Sequence, residues 1–240
     1  MKIADDFAAA LRFLTRLPLA ASNATPAFGA SAFPLVGLVL GIAGLAADVA
    51  TRALPQGLRN VEILFVWTLA TGAIHYDGLA DVLDALGGST REERLRIMHD
   101  SAIGVFAALG LVLIVAAELA ALAELSGRAR TTALVVSPVL GRWAMLVSGF
   151  RASSAREEGL GARFARDLEG GDVVVATLVT IGLVTVVAGA RGWLAALLVA
   201  ATAAGVRRLA VSAFGGVTGD VLGASAAIAE TVALVFWAAT

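Results

Sequence analysis

The chain has 240 residues, 59% of them hydrophobic and 15% charged, with a mean hydropathy of +0.87 and a formal net charge of −1. Soluble domains carry about a quarter charged residues, so this composition excludes an ordinary soluble fold and points to an integral membrane protein. Near-neutrality without an arginine-rich face argues against nucleic-acid binding, and the absence of cysteine leaves only oxygen and imidazole to hold any metal.

The opening stretch, MKIADDFAAALRFLTRLPLAAS, is interrupted by Asp5, Asp6, Arg12 and Arg16, which is unlike a signal peptide. Ile3, Phe7, Ala10, Leu11 and Leu14 share one face at helical spacing. That predicts an amphipathic helix lying along the membrane surface and stopped by Pro18. Seven apolar stretches of roughly 20 residues, the length of a membrane span, follow near 30–50, 61–80, 102–126, 131–150, 172–190, 192–211 and 220–240. The last is short and interrupted, so the expectation is an all-α polytopic bundle of six or seven transmembrane helices. The longest polar connection, 151–171, is too small to bury a core of its own, which makes residues 1–240 one membrane domain. Within the first span, GLVLG at 37–41 is a small-xxx-small pattern that predicts close helix packing.

With seven spans, Lys2, Arg12, Arg16, Arg91, Arg94, Arg96, Arg151, Arg156, Arg163, Arg166, Arg207 and Arg208 fall on one side of the membrane. Arg52, Arg59, Arg128, Arg130 and Arg191 fall on the other, and Arg142 lies inside a span. Twelve against five places the N-terminus in the cytoplasm, because cytoplasmic loops carry the excess of Lys and Arg. The polar stretches HYDGLADVLD, RIMHDSAIG, REEGLGARF and GGVTGDVLGA all belong to the twelve-residue side. A polar face on an apolar bundle is where a site belongs, although solvated loops would explain the arginines alone.

HYDGLADVLD, residues 75–84, closes the second span. If that helix continues, Asp77, Asp81 and Asp84 fall within about 60° of one another on a single stripe. Three carboxylates on one stripe repel, and protonation, arginine partners or a divalent cation would relieve them. Oxygen-only donors suit Mg²⁺ or Mn²⁺ bridging to substrate phosphates. The plain alternative is a solvated helix end whose acids pair with Arg91, Arg94 or Arg96. Gly78 leaves room for a ligand or a second backbone. His75 lies on the opposite side of the helix from the stripe, as a packing or supporting residue. Asp100-Ser101, at the mouth of the third span, suits either a metal or phosphate contact or an N-cap. Arg142, mid-span, needs a carboxylate or phosphate partner. GGVTGD, residues 215–220, has the flexible backbone of an anion-binding loop but is weak by itself.

Taken in order, FLTRLP, FPLVGLVLG, HYDGLAD, RIMHDSAIG, AREEGLG and GGVTGDVLGA resemble the cobalamin synthase family, the adenosylcobinamide-GDP ribazoletransferases, from about residue 7 to 230. The resemblance implies a Mg²⁺-dependent enzyme of the cell inner membrane. Such an enzyme moves the cobinamide phosphoryl group from adenosylcobinamide-GDP to α-ribazole or its 5′-phosphate and releases GMP. Carried onto this chain, Asp77, Asp81 and Asp84 would hold Mg²⁺ on the diphosphate, and Asp81 or Asp84 could take the proton of the ribazole hydroxyl. Asp100 and Asp220 are candidates to complete the metal or base set. Arg142 and Arg156 would face phosphate oxygens, with Gly78, Ser101, Glu158 and Gly219 beside the substrates. The family commonly has an acid or amide near positions 226–227, where this chain has Ala226 and Ala227, which leaves Glu230 as the acid inside the last span.

Two other classes explain less of the chain. A phospholipid-forming CDP-alcohol phosphotransferase would need the longer arginine-containing signature with two further aspartates. A carboxylate-coupled transporter would use Asp77, Asp81 and Arg142 along an ion path, but the acids cluster at one face and no pseudo-repeat is visible. The expected partners are the two small-molecule substrates and the bilayer, and a homo-oligomer is compatible with the sequence.

Overall fold

A computed structural model describes residues 2–17 and 28–240. After α1 (Lys2–Leu14) a short 3-10 turn (Ala30–Ala32) leads into α2 (Phe33–Ala50), α3 (Gln56–Thr71), α4 (Ile74–Ala85) and α5 (Arg91–Ile97). The chain continues through α6 (Val105–Glu124), α7 (Gly127–Gly149), α8 (Leu160–Asp167), α9 (Gly170–Ala188), α10 (Ala190–Phe214) and α11 (Gly219–Ala239). Among the described residues there is no strand, only an isolated parallel bridge between Ser154 and Val217.

The apolar composition sorts these helices into an inner and an outer set. The apolar windows of α7 and α11 are 94% and 72% buried, whereas those of α6, α9 and α10 are only 22%, 17% and 28% buried. The outer helices turn Val105, Phe106 and Leu109, Leu178 and Val186, and Trp193 and Leu197 outward. In water such surfaces would be a liability, but against lipid tails they are the expected face.

With lipid outside, helix association depends on close packing of small residues. A Cβ at Gly37 would stand 2.4 Å from the Pro138 carbonyl oxygen, and one at Gly41 would stand 2.8 Å from the Val135 Cα. The 37–41 pattern therefore seats α2 directly on α7. One turn on, Gly44 lies against the Trp67 ring of α3, whose Nε1–H donates to the Leu40 carbonyl at 2.8 Å.

The second predicted span, 61–80, is not continuous. Gly72 and Ala73 both adopt left-handed backbone (φ 64° and 60°), and α4 leaves α3 at 88°. The Ala73 N–H bonds the Thr68 carbonyl and the Gly72 N–H bonds that of Leu69, the Schellman pattern that ends a helix. Hydropathy does not register this break because residues on both sides are apolar. The stripe spacing survives, since Asp77, Asp81 and Asp84 all belong to α4.

Two sets of contacts fix which helix ends lie together. Asp48 (end of α2), Asn60 (start of α3) and Arg130 (start of α7) meet with Arg59, and Arg130 also donates to the Leu122 carbonyl near the end of α6. At the other end, Arg91 donates to the Phe214 carbonyl, Arg94 to that of Ala213, and Arg207 to that of Phe150. The helices α2, α3, α6, α7, α9, α10 and α11 thus run alternately; six of them are long and apolar enough to cross a membrane, and the bent pair α3 and α4 makes a seventh if it is one span. The segments 85–104, 150–170 and 214–219 share the end to which the sequence assigns twelve of the basic residues. The last pass is an unbroken 21-residue helix, contrary to expectation, capped where the Thr218 hydroxyl accepts the Val221 N–H.

In α1, Ala10, Leu11 and Leu14 are buried and Phe7 is half-buried. The predicted face is thus turned onto the protein core. The Ile3 side chain and Pro18 lie outside the described residues. We expect Gly37→Leu to force α2 off α7 and lower stability by about 1–3 kcal/mol or more, as overpacking does. Thermal unfolding in detergent checks this, with Gly57→Leu, where a Cβ meets nothing within 4 Å, as the neutral control.

Candidate active site

Why the acidic stripe stands where it does is a matter of backbone contact. Gly78 permits α4 to cross the first turn of α11 so closely that a Cβ would stand 2.7 Å from the Asp220 carbonyl oxygen. Of the two occupants the missing side chain allowed, the structure shows the backbone. Gly78 is buried and lines neither of the cavities described below.

The crossing brings Asp220 to the stripe. Asp81 lies within electrostatic range of Asp77, Asp84 and Asp220, with Arg156 as the opposing cation. The Arg156 Nη1 stands 3.9 Å from Asp220 Oδ2, which also accepts the Thr218 hydroxyl at 3.3 Å. Arg156 is steadied by a bond to the Leu95 carbonyl, and its loop by the Ala155 N–H to the Val217 carbonyl and the Val217 N–H to that of Ser153. Thus the AREEGLG and GGVTGD stretches, some sixty residues apart in sequence, form one backbone unit.

Two cavities open from this point. The larger, about 470 Å³, is lined by Asp77, Asp81, Asp84, Asp100, Ser101, Arg156 and Asp220, so seven predicted residues come together. The smaller, about 220 Å³, is lined by Glu158, Gly219 and a mostly apolar wall. Both share Asp77, Arg156 and Asp220, which form the edge between them.

The stripe does not close into a ready-made metal cage. Among the described residues, no three His, Asp or Glu side chains are grouped so as to hold a metal ion. Asp84 has a structural duty: its Oδ2 accepts the Gly104 N–H at 2.6 Å and its Oδ1 the Ala107 N–H at 2.9 Å. It therefore satisfies the N-terminus of α6 from a neighbouring helix, the task that Asp100 was a candidate for. Asp100 instead accepts the N–H of Ala102 within its own loop. The donor set still fits Mg²⁺, which is commonly held by one or two carboxylates and completed by substrate phosphate rather than by a protein cage.

Arg142 is not at this site. Its guanidinium pairs with Glu230 inside the bundle, and its Nη2 stands 3.4 Å from His75 Nδ1. A buried guanidinium needs a carboxylate or phosphate, and the last span supplies the carboxylate. Ala227 borders the same small cavity of about 20 Å³, one turn from Glu230. Glu230 is thus the acid of the last helix that meets Arg142. Sequence reasoning missed the adjoining pair, Glu118, which accepts the Tyr76 hydroxyl at 2.6 Å and the Thr231 hydroxyl at 2.7 Å. A lone carboxylate inside the apolar run LVLIVAAELAAL was a usable signal.

The geometry defines a polytopic membrane protein with a carboxylate-rich, arginine-flanked cavity at one end. The family model for cobalamin-5-phosphate synthase matches residues 6–238. Relatives named adenosylcobinamide-GDP ribazoletransferase include those of Roseiflexus sp. (39% identical, 94% of this chain and 86% of the relative), Syntrophobacter fumaroxidans (38%, 95% and 96%) and Pseudomonas fluorescens strain Pf0-1 (37%, 94% and 96%). No solved structure matches the chain. The chain belongs to the cobalamin-5-phosphate synthase family and is a membrane transferase of cobalamin biosynthesis.

Asp84 and Asp81 separate in their consequences. Asp84→Ala should cost about 0.5–2 kcal/mol through the lost cap of α6. Asp81→Asn should not lower stability and should raise it slightly near neutral pH, because Asp81 makes no such backbone bonds and its charge is repelled by Asp220, Asp77 and Asp84. Thermal denaturation of the two purified variants beside the wild type checks the difference.

Proposed function

We propose that the chain transfers the adenosylcobinamide phosphoryl group from adenosylcobinamide-GDP to α-ribazole or its 5′-phosphate, releasing GMP. The observation that carries this reading is the meeting of two unlike cavities at Asp77, Arg156 and Asp220. A transfer between two substrates needs two adjoining compartments and a charged edge where the phosphoryl group passes.

Asp77 and Asp81 are the residues that would hold Mg²⁺, with Asp220 in reach. Held there, the ion would supply neutralisation of the negative charge that develops as GMP departs. Arg156, kept in place by Leu95 and Asp220, orients a phosphoryl oxygen at the edge between the cavities. The acceptor hydroxyl oxygen bonds to the phosphorus carrying the cobinamide. The bond from that phosphorus to the oxygen of GMP breaks, and the hydroxyl proton goes to a carboxylate of the Asp81–Asp220 pair. Asp100 and Ser101, on the exposed wall of the larger cavity, face the donor. The basic-residue count supports a cytoplasmic position for this end in the cell inner membrane.

Purified protein in lipid, given adenosylcobinamide-GDP, α-ribazole and Mg²⁺, should yield a cobalamin and GMP. Chelation of the metal and Asp81→Asn should each remove activity, the latter by about 10²–10⁴-fold, the range for a group handling a proton in the transition state. Absence of turnover with both ribazole forms would sink the assignment. For the side, cysteines placed in 85–95 should react with an impermeant maleimide only after the cytoplasmic face is opened, and labelling of intact cells would reverse the orientation.

A further inference from the structure

Resting on that proposed function, the acids of the site need more than the glycine crossing to hold their places. Gly78 and Gly223 bring the backbones of α4 and α11 together, but a glycine offers no ridge to key one helix into the groove of another. Closeness is fixed by that contact, whereas the rotation of each helix about it is not.

Glu118 of α6 meets both helices. It is 2% exposed in the apolar run LVLIVAAELAAL, where a carboxyl group is costly unless its oxygens find donors. Both do: Oε2 accepts the Tyr76 hydroxyl of α4 at 2.6 Å, and Oε1 accepts the Thr231 hydroxyl of α11 at 2.7 Å. One side chain thus joins α6 to the helix that carries Asp77 and Asp81 and to the helix that carries Asp220.

The strut itself is anchored. Asp84 of α4 already accepts the Gly104 and Ala107 N–H groups at the start of α6. Glu118 lies eleven residues beyond Ala107, so α6 is tied to α4 at two levels about 16 Å apart along its axis. On α4 the tied residue, Tyr76, directly precedes Asp77. On α11, Thr231 is eleven positions from Asp220, which puts the two within about 20° of one another on the same face. A turn of either helix that broke its bond to Glu118 would therefore swing an acid of the site. Glu118 and Thr231 line neither of the two cavities that share Asp77, Arg156 and Asp220, so substrate contact does not explain them.

We propose that Glu118 is a positioning residue for the phosphoryl transfer, accepting Tyr76 and Thr231 so that α4 and α11 present Asp77, Asp81 and Asp220 to the cavity in one fixed arrangement. Neither hydroxyl depends on Glu118 for burial. Thr231 also donates to the Ala227 carbonyl at 3.0 Å, and Tyr76 lines the larger cavity, where its hydroxyl can turn to water. An apolar residue at 118 therefore strands no buried donor and removes a buried polar group, which leaves folding unharmed while the helices lose their setting. Stability and catalysis are expected to part company.

The test compares Glu118→Leu, Glu118→Gln and Thr231→Val with the wild type, purified in lipid, using adenosylcobinamide-GDP and α-ribazole. Glu118→Leu should keep or raise Tm yet lower kcat at least about tenfold, as misplaced reacting groups do. Both KM values should stay within about twofold, since the substrate contacts remain. Glu118→Gln should hold kcat within about threefold, because an amide oxygen and N–H can meet two hydroxyls that either donate or accept. Thr231→Val, a smaller change, should lower kcat at least about threefold with the KM values kept. Geometry is read separately by spin labels on cysteines placed at the exposed Ser89, in the turn after α4, and Val235 of α11, in a chain without cysteine of its own. Their distance distribution should broaden in Glu118→Leu and not in Glu118→Gln.

A wild-type kcat in Glu118→Leu or Thr231→Val would overturn the proposal, as would an activity loss that follows a lowered Tm. Equal impairment by Gln and Leu would assign the role to charge rather than placement, and an unbroadened distance distribution would remove the strut. Absence of turnover by the wild type is a different result, because it removes the proposed function and leaves the spin-label comparison standing.

Discussion

The backbones of α4 and α11 cross without a side chain between them. Gly78 on one helix and Gly223 on the other make this possible, a Cβ on the latter standing 3.2 Å from the Ile74 carbonyl oxygen. Were either side chain larger, the helices would part, and Asp220 would withdraw from Asp77 and Asp81. The GGVTGD loop then positions Arg156 through its backbone bridge to Ser153 and Ala155. One small-residue contact, the usual means of bringing helices together in lipid, thus fixes the relative placement of four carboxylates and the guanidinium that faces them.

Electrostatics constrains the bundle at three levels along its axis. Asp48 is met by Arg59 and Arg130, each at 2.7 Å, at the end remote from the site. Arg142 and Glu230 neutralise one another in the interior, beside Glu118, Tyr76 and Thr231. The site end leaves the larger excess of like charge, with Asp77, Asp81, Asp84 and Asp220 set against Arg156, whereas in the interior Glu118 and Glu230 share Arg142. Charges buried for stability are paired, because an unpaired one costs several kcal/mol, roughly 3–5 when a partner is removed. An imbalance kept at one exposed end therefore marks the place where a ligand completes the charge balance.

Much of this was legible in the sequence for physical reasons. A span must be long and apolar, so the passes other than the second, and their ends, followed from hydropathy to within a few residues. The stripe followed from helical spacing, and the gathering of Asp100, Arg156 and Asp220 followed from alternation of the passes. The break at Gly72 and Ala73 was hidden, since a bend between two apolar segments changes neither composition nor period. The role of Asp84 was hidden because a cap donated from another helix has no local sequence signature, unlike Thr218 three residues before Val221. Arg142 was recognisable as a buried cation needing a partner, but choosing between Glu230 and a phosphate required knowing which helices touch. The apolar pocket was out of reach, because Phe13 and Phe164 are 151 positions apart and share a wall only after α1 and α8 pack together.

The order of letters in HYDGLAD acquires a physical meaning from these contacts. At 100° per residue, neighbouring positions on a helix face different surroundings. On α4, His75 and Tyr76 turn to the interior, where Arg142 and Glu118 meet them from α7 and α6. Asp77 faces the edge shared by the two cavities, and Gly78 takes the backbone of α11. Four consecutive residues thus answer to four neighbours, and rotating the helix by one position would put a carboxylate against Glu118 or a side chain into Asp220. The paired charges of the interior therefore set the rotation of α4, and that rotation presents the acidic stripe to the cavity.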